Sequence, residues 1–312
     1  MKKIWITGHK GMLGSAMVRA LKNINAELLL TSRNQVDLYN QYEVLNWMKI
    51  QKPDYVFHIG AKVGGIMANK KLPADFILDN LMIQTNVIHG AHLSNVKKLV
   101  FVASNCIYPS ITNQPIPESA ILTGPPDENI RSYAISKIAG IELCLAYRKQ
   151  YGCEYKIVIP PNLYGPGDNY HPENNHVIAG LIQRAYQANK SDEKKFVVWG
   201  DGTARREILH VDDLADAMKT VMFSDAPYDI FNVGLGYDHS ISELANMIIE
   251  TVGFSGEITF DTSKPNGTKQ KLLDSSRIFN LGWRPKINPK EGLKSAYNDF
   301  LNRLTQNTLI TG

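Results

Sequence analysis

Cysteine is scarce in these 312 residues: Cys106, Cys144 and Cys153 are the whole complement. An odd number at no metal-ligand spacing argues against a disulfide framework and a zinc site, and fits a reducing cytoplasm. No apolar run approaches the length of a membrane span, so no membrane partner is expected. The opening Met1-Lys-Lys-Ile-Trp-Ile-Thr-Gly has neither the apolar core nor the small-residue cleavage site of a signal peptide, and enters a strand pattern at once. Lys/Arg-rich runs with interleaved aromatics are missing, and the formal net charge of +4 is scattered. Nucleic acid is therefore not expected as a partner, while anionic small molecules stay open. Internal repeats and low-complexity linkers are absent.

What is present is ordinary globular material, 44% hydrophobic and 21% charged, enough to bury a large core. The length is that of one large domain or a domain plus a smaller lobe. Short continuous apolar runs at Ile4–Thr7, Glu27–Leu30, Tyr55–Ile59, Leu99–Ala103 and Ile157–Ile159 predict parallel strands buried on both faces. Helical periodicity at Ala74–Leu93 and Ser132–Tyr151 lies between them, an order that predicts a Rossmann-type doubly wound parallel sheet. In the first helix Ile77, Leu81, Ile88 and Ala91 form one stripe with Leu78 and Met82 off it; in the second the stripe is Ala134, Ile138, Ile141 and Leu145. A broad core face and a subunit interface both account for this surplus of apolar surface, and a homodimer is the expectation.

Beyond residue 165 the texture changes. A Gly/Pro/Asn/His loop, Gly165–Asn175, follows the fifth strand. Helices at Asn175–Ala188, Val211–Phe223, Ile241–Val252 and Pro289–Leu304 then mix with strands at Phe196–Trp199, Ile230–Val233 and Ile258–Phe260. The expected division is a dinucleotide-binding domain of residues 1–165 plus about 208–236, and a smaller mixed α/β substrate lobe of 166–207 plus 237–312.

Gly8-His9-Lys10-Gly11-Met12-Leu13-Gly14 links the first strand to a helix. Glycines there allow a tight turn and a close backbone approach, and the helix N-terminus favours a pyrophosphate. The end of the second strand reads Leu30-Thr31-Ser32-Arg33-Asn34, with no carboxylate before Asp37. An acid would repel a ribose 2′-phosphate, whereas Arg33 can hold it in a charge-assisted fork, with Lys10 adding charge. The expected cofactor is NADP(H).

Ser104 closes the fourth strand, and Tyr133-Ala-Ile-Ser-Lys137 opens the following helix with Tyr133 and Lys137 on one face. An ammonium beside a phenol is expected to lower the phenol's pKa, fitting Tyr133 to protonate a developing alkoxide, with Ser104 supplying a second hydrogen bond. A Tyr-x-x-x-Lys spacing alone is close to chance. The strand-end serine and the glycine loop carry the weight.

The set resembles the extended short-chain dehydrogenase/reductases and, among them, the GDP-L-fucose synthase family. The matching stretches are Gly8-His-Lys-Gly-Met-Leu-Gly-Ser, Ala61-Lys-Val-Gly-Gly-Ile, Cys106-Ile-Tyr-Pro, Tyr133-Ala-Ile-Ser-Lys-Ile-Ala-Gly, Asn162-Leu-Tyr-Gly-Pro, His176-Val-Ile, Trp199-Gly-Asp-Gly-Thr and Arg206-Glu-Ile-Leu-His-Val-Asp-Asp. The resemblance covers nearly the whole chain. It implies 3,5-epimerisation and then NADPH-dependent C4 reduction of a GDP-linked 4-keto-6-deoxy-hexose, with Cys106 and His176 as base and acid and Tyr133, Lys137 and Ser104 at the reducing centre. It also implies Ala103, Pro160, Asn162, Leu163 and His176 beside the cofactor. Arg184, Trp199, Arg206, Asn266 and Lys271 are implied on the GDP side. Three positions depart from the family pattern: Lys10 stands for arginine, Pro161 for threonine and Asn266 for aspartate. A close variant is C4 reduction of a GDP-linked keto-heptose. A 4,6-dehydratase is disfavoured because Asn105-Cys106 stands where its acid pair would be, and a non-catalytic dinucleotide sensor because the Tyr/Lys pair is kept.

Overall fold

The computed structural model describes residues 1–171, 175–264 and 266–306. The first half alternates strand and helix: β1 (Lys2–Thr7), α1 (Met12–Leu21), β2 (Ala26–Leu29), α2 (Gln41–Gln51), β3 (Tyr55–His58), α3 (Ile66–Lys71), α4 (Pro73–Leu93), β4 (Lys98–Val102), α5 (Arg131–Tyr151) and β5 (Tyr155–Ile159). The second half runs β6 (Asn162–Tyr164), α6 (Val177–Lys190), β7 (Lys195–Trp199), β8 (Arg205–Arg206), β9 (Ile208–His210), α7 (Val211–Phe223) and β10 (Ile230–Asn232). It ends with β11 (His239–Ser240), α8 (Ile241–Val252), β12 (Glu257–Asp261), α9 (Ser276–Asn280) and α10 (Pro289–Thr305).

Six strands pair in the order β10-β5-β4-β3-β1-β2, all parallel. Because side chains alternate along a strand, each strand feeds two cores. Ile4, Ile6, Phe57, Val100 and Val158 pack with Leu13 and Met17 of α1 and Leu214 and Met218 of α7. Trp5, Val56, Leu99, Phe101 and Ile157 pack with α2, α4 and α5 on the other face. This is the doubly wound arrangement expected. A third core gathers Ile178, Ile182, Phe196, Leu244 and Phe300 from α6, β7, α8 and α10. Residues 172–174 of the Gly165–Asn175 loop, and 265 and 307–312 of the expected second lobe, lie outside the described residues.

The helix stripes need correction. Ile77 and Leu81 are only half-buried, and the core face of α4 is Phe76, Asn80, Ile83, Gln84, Asn86, Val87, Ile88, Gly90 and Ala91. Its polar members bond across the fold. Asn80 accepts from the Lys62 amide at 3.0 Å, Gln84 donates to the Ser136 carbonyl at 2.6 Å, and Asn86 donates to the Leu38 carbonyl at 2.9 Å. Gly140 of α5 lets α4 approach, since a Cβ there would stand 2.8 Å from Gln84 Oε1. In α5, Leu145 is half-buried and Cys144 takes the core place.

Candidate active site

Ligands of open α/β sheets bind beyond the C-terminal strand ends, where strand order reverses. Here the reversal falls between β1 and β3, and a cavity of about 420 Å³ opens there. Its wall takes Gly8 after β1, Ile59 and Gly60 after β3, Ala103, Ser104 and Asn105 after β4, and Pro160 after β5. Tyr133 and Lys137 enter from α5, Asn162 and Leu163 from β6, and His176 from the N-cap of α6.

The glycine loop has the shape a dinucleotide needs. Gly8 has φ +68°, a left-handed conformation. A Cβ on Gly14 would lie 2.0 Å from the Gly8 carbonyl oxygen, so only glycine lets α1 begin against the loop. Among the described residues no side chain caps the N-terminus of α1 at Gly11, which leaves its first amides for an anion. These residues fit a pyrophosphate. Gly11, Met12, Leu13 and Gly14 line the cavity, whereas His9, Lys10 and Arg33 lie outside its wall. Arg33 is exposed, its Nε 3.8 Å from the Asp37 carboxylate and its guanidinium 5.0 Å from the Tyr39 ring centre. It is thereby held past β2 without being consumed by a close partner.

At the reacting end, Lys137 is buried, donates from Nζ to the Val102 carbonyl at 3.0 Å, and lies 5.9 Å from the Tyr133 ring centre. Burial lowers its pKa to about 8, with the Cys106 charge opposing. The expected lowering of the Tyr133 phenol by this ammonium is not what the structure holds. Burial pushes the phenol strongly up, the Cys106 charge adds to this, and a hydrogen bond with Ser104 works against it. Tyr133 is therefore firmly protonated, the state a proton donor requires. Burial also pushes the Cys106 thiol up, with its hydrogen bond to Ser104 and the charges of Lys271 and Lys137 opposing. His176 is pushed down by burial and is neutral at neutral pH.

The GDP-side residues fall into two groups. Arg184 donates to the Gly180 and Val197 carbonyls and sits 5.8 Å from the Trp199 ring centre, an exposed ring that Lys264 also approaches at 5.9 Å. Asn266 accepts from the Asp201 amide at 2.8 Å and so closes the turn after β7, beside Trp199. Arg206 donates to the Arg205 and Thr268 carbonyls, and Lys271 reaches toward the Asn105 carbonyl at 3.5 Å. None of the five lines the cavity wall.

Sequence reasoning assigned no role to Ile59, Gly60, Ala61, Val63, Gly64 or Asn105, all on the wall, nor to Asp127, whose charge acts on both Arg206 and Lys271. The Ala61-Lys-Val-Gly-Gly-Ile stretch carried a signal for the first group. Asp127 carried none.

Residues 4–234 match the NAD dependent epimerase/dehydratase family, so the class is that of nucleotide-dependent epimerases and dehydratases on a Rossmann-type sheet. A GDP-L-fucose synthase of Sinorhizobium fredii is 45% identical over 306 residues, covering 98% of each chain. Among solved structures, a GDP-6-OMe-4-keto-L-xylo-heptose reductase from C. jejuni superposes with TM-score 0.89 at 36% identity, covering 97% of this chain and 98% of that one. A GDP-L-fucose synthetase from Naegleria fowleri bound to NADP gives TM-score 0.90 at 26% identity, covering 97% and 95%. The chain belongs to the NAD dependent epimerase/dehydratase family, on its GDP-L-fucose synthase branch.

Proposed function

We propose that this protein is an NADPH-dependent epimerase/reductase that converts GDP-4-keto-6-deoxy-D-mannose to GDP-L-fucose. The observation that carries the reading is the convergence of Ser104, Tyr133, Lys137 and His176 on the cavity that the glycine loop opens. Gly8 to Gly14, Arg33, Ala103, Pro160, Asn162 and Leu163 would hold NADP(H), which when bound supplies the hydride equivalent for C4. Arg184, Trp199, Arg206, Asn266 and Lys271 would hold the GDP moiety, the cations on pyrophosphate and the Trp199 face on the base or ribose.

The 4-keto group acidifies the hydrogens on C3 and C5. The Cys106 thiolate removes such a proton, and the electron pair moves onto O4, where the Ser104 and Tyr133 hydroxyls donate to the enolate oxygen. His176 returns a proton to the carbon from the opposite face. After both centres are inverted, Tyr133 gives its proton to O4 as C4 is reduced, and Lys137 orders the phenol and offsets the charge left behind. The protein would work in the cytoplasm as a homodimer.

The keto-heptose reductases offer a second reading, supported by the 36% identity of the C. jejuni enzyme. The 45% identity to a GDP-L-fucose synthase favours the hexose.

Paired variants separate the two halves of the reaction. Tyr133→Phe is expected to lose at least about 100-fold in NADPH oxidation while retaining NADPH binding. Cys106→Ser is expected to stop solvent-deuterium incorporation at C3 and C5. Wild-type turnover in the first, or wild-type exchange in the second, would remove that residue from its role.

A further inference from the structure

Of the five proposed catalytic residues, Cys106 alone is set back from the cavity wall. A buried thiol makes a poor base unless something stabilises its ionised form, since removing a charge from water is costly. The charged and titratable groups that act on it are the ammoniums of Lys137 and Lys271 and the phenol of Tyr133; the Ser104 hydroxyl bonds it.

Lys137 is a weak answer. Its Nζ is committed to the Val102 carbonyl, and with a pKa of about 8 it loses its charge in the range where a thiol must ionise.

Lys271 is brought in from 165 positions further along the chain by a strap whose next three amides are all occupied. The Leu272 amide donates to Gln114 Oε1 at 2.7 Å, the Leu273 amide to the buried carboxyl of Glu207 at 2.9 Å, and the Asp274 amide to the Ile116 carbonyl at 2.9 Å. The Ile116 amide returns a bond to the Leu272 carbonyl at 2.8 Å, making a parallel bridge at Ile116 and Leu273. So anchored, Lys271 is 9% exposed and its ammonium reaches the carbonyl of Asn105, the residue before Cys106, at 3.5 Å. Asp127 and Arg206 also face it. Burial lowers the Lys271 pKa from its ordinary value, the Cys106 and Asp127 charges favour the charged ammonium, and Arg206 opposes it.

We propose that Lys271 is a positioning residue acting through Cys106: its strapped ammonium stabilises the thiolate that removes the C3 and C5 protons. The thiol proton leaves to solvent, Lys271 gives up none of its own, and the thiolate then accepts the carbon-bound proton while the electron pair moves to O4. This rests on the reading of Cys106 as the base and adds a role to Lys271 that contact with pyrophosphate does not require.

The test is titration of the Cys106 thiolate by its ultraviolet absorbance in the protein without substrate, each spectrum corrected by the matching Cys106→Ser protein. Lys271→Met is expected to raise the midpoint by about one unit or more, a tenfold loss of thiolate at fixed pH. Lys271→Gln keeps a donor for the Asn105 carbonyl but removes the charge, and should match it. Lys271→Arg should hold the wild-type midpoint. A purely pyrophosphate-binding lysine leaves the midpoint unmoved in Met and Gln variants that retain native near-ultraviolet circular dichroism, and that result overturns the proposal. Failure of the Cys106 reading shows itself differently, as deuterium exchange surviving in Cys106→Ser.

Discussion

At neutral pH the Cys106 thiol and the His176 ring are both held neutral by burial, the first pushed up and the second down. The thiolate–imidazolium pair that epimerisation uses is then a minor form of the same net charge as the neutral pair, so its population does not change with pH between the two pKa values. Acid below the lowered imidazole pKa removes the thiolate, and base above the raised thiol pKa removes the imidazolium. The pH profile of epimerisation should therefore be a plateau. Its acid limb should lie below the ordinary imidazole value of about 6.5 and its alkaline limb above the ordinary thiol value of about 8.5. A narrow bell between those two values would contradict the assignment. Arg33 carries a second residue-scale expectation. Arg33→Ala should weaken NADPH binding about 10- to 100-fold and leave NADH unchanged in a fluorescence titration; equal losses would remove the 2′-phosphate role. Residue identities at the reducing centre could be read from motifs, because Ser104, Tyr133 and Lys137 keep fixed places relative to a strand end and a helix start. Their protonation states could not be. Burial, not the ammonium, sets the Tyr133 phenol, and only the folded chain sets burial.

On the scale of elements, α4 and α5 stand side by side over one sheet face, joined by the bond from Gln84 to the Ser136 carbonyl and the 2.7 Å pair of His89 Nδ1 and the Tyr147 hydroxyl. Leu78 and Met82 of α4 and Ile135 of α5 remain exposed, at 57%, 39% and 37%. Apolar groups left outward on two adjacent helices support the homodimer reading. Sedimentation should give a dimer for the wild-type protein, and Leu78→Glu should weaken it by at least about tenfold. A wild-type monomer at micromolar concentration would end that reading. Element legibility followed the strength of the apolar pattern. The bounds of α7 and α8, Val211–Phe223 and Ile241–Val252, coincide with the periodicity because their buried faces are continuous. In α4 the buried face contains Asn80, Gln84 and Asn86, whose partners outside the helix lie 18 to 52 residues away, and no apolar stripe reports them. α2 buries only Val44 and Met48, too little for a stripe to be read.

For the molecule as a whole, the parallel sheet brings four strand ends to one cavity, and the elements after residue 160 bring Asn162, Leu163 and His176 to its other side. Parallel order could be read from the alternation of strand and helix. The approach of Lys271 to Cys106, and of Asp127 to Lys271, could not, because three separate loops create it. The central claim is that one chain inverts two carbons and then reduces a third. Incubation with GDP-4-keto-6-deoxy-D-mannose and NADPH, with the product resolved by NMR, tests this most directly. The expected result is GDP-L-fucose formed in proportion to NADPH oxidised. A GDP-6-deoxy-D-hexose with C3 and C5 unchanged, or no NADPH oxidation, would contradict it.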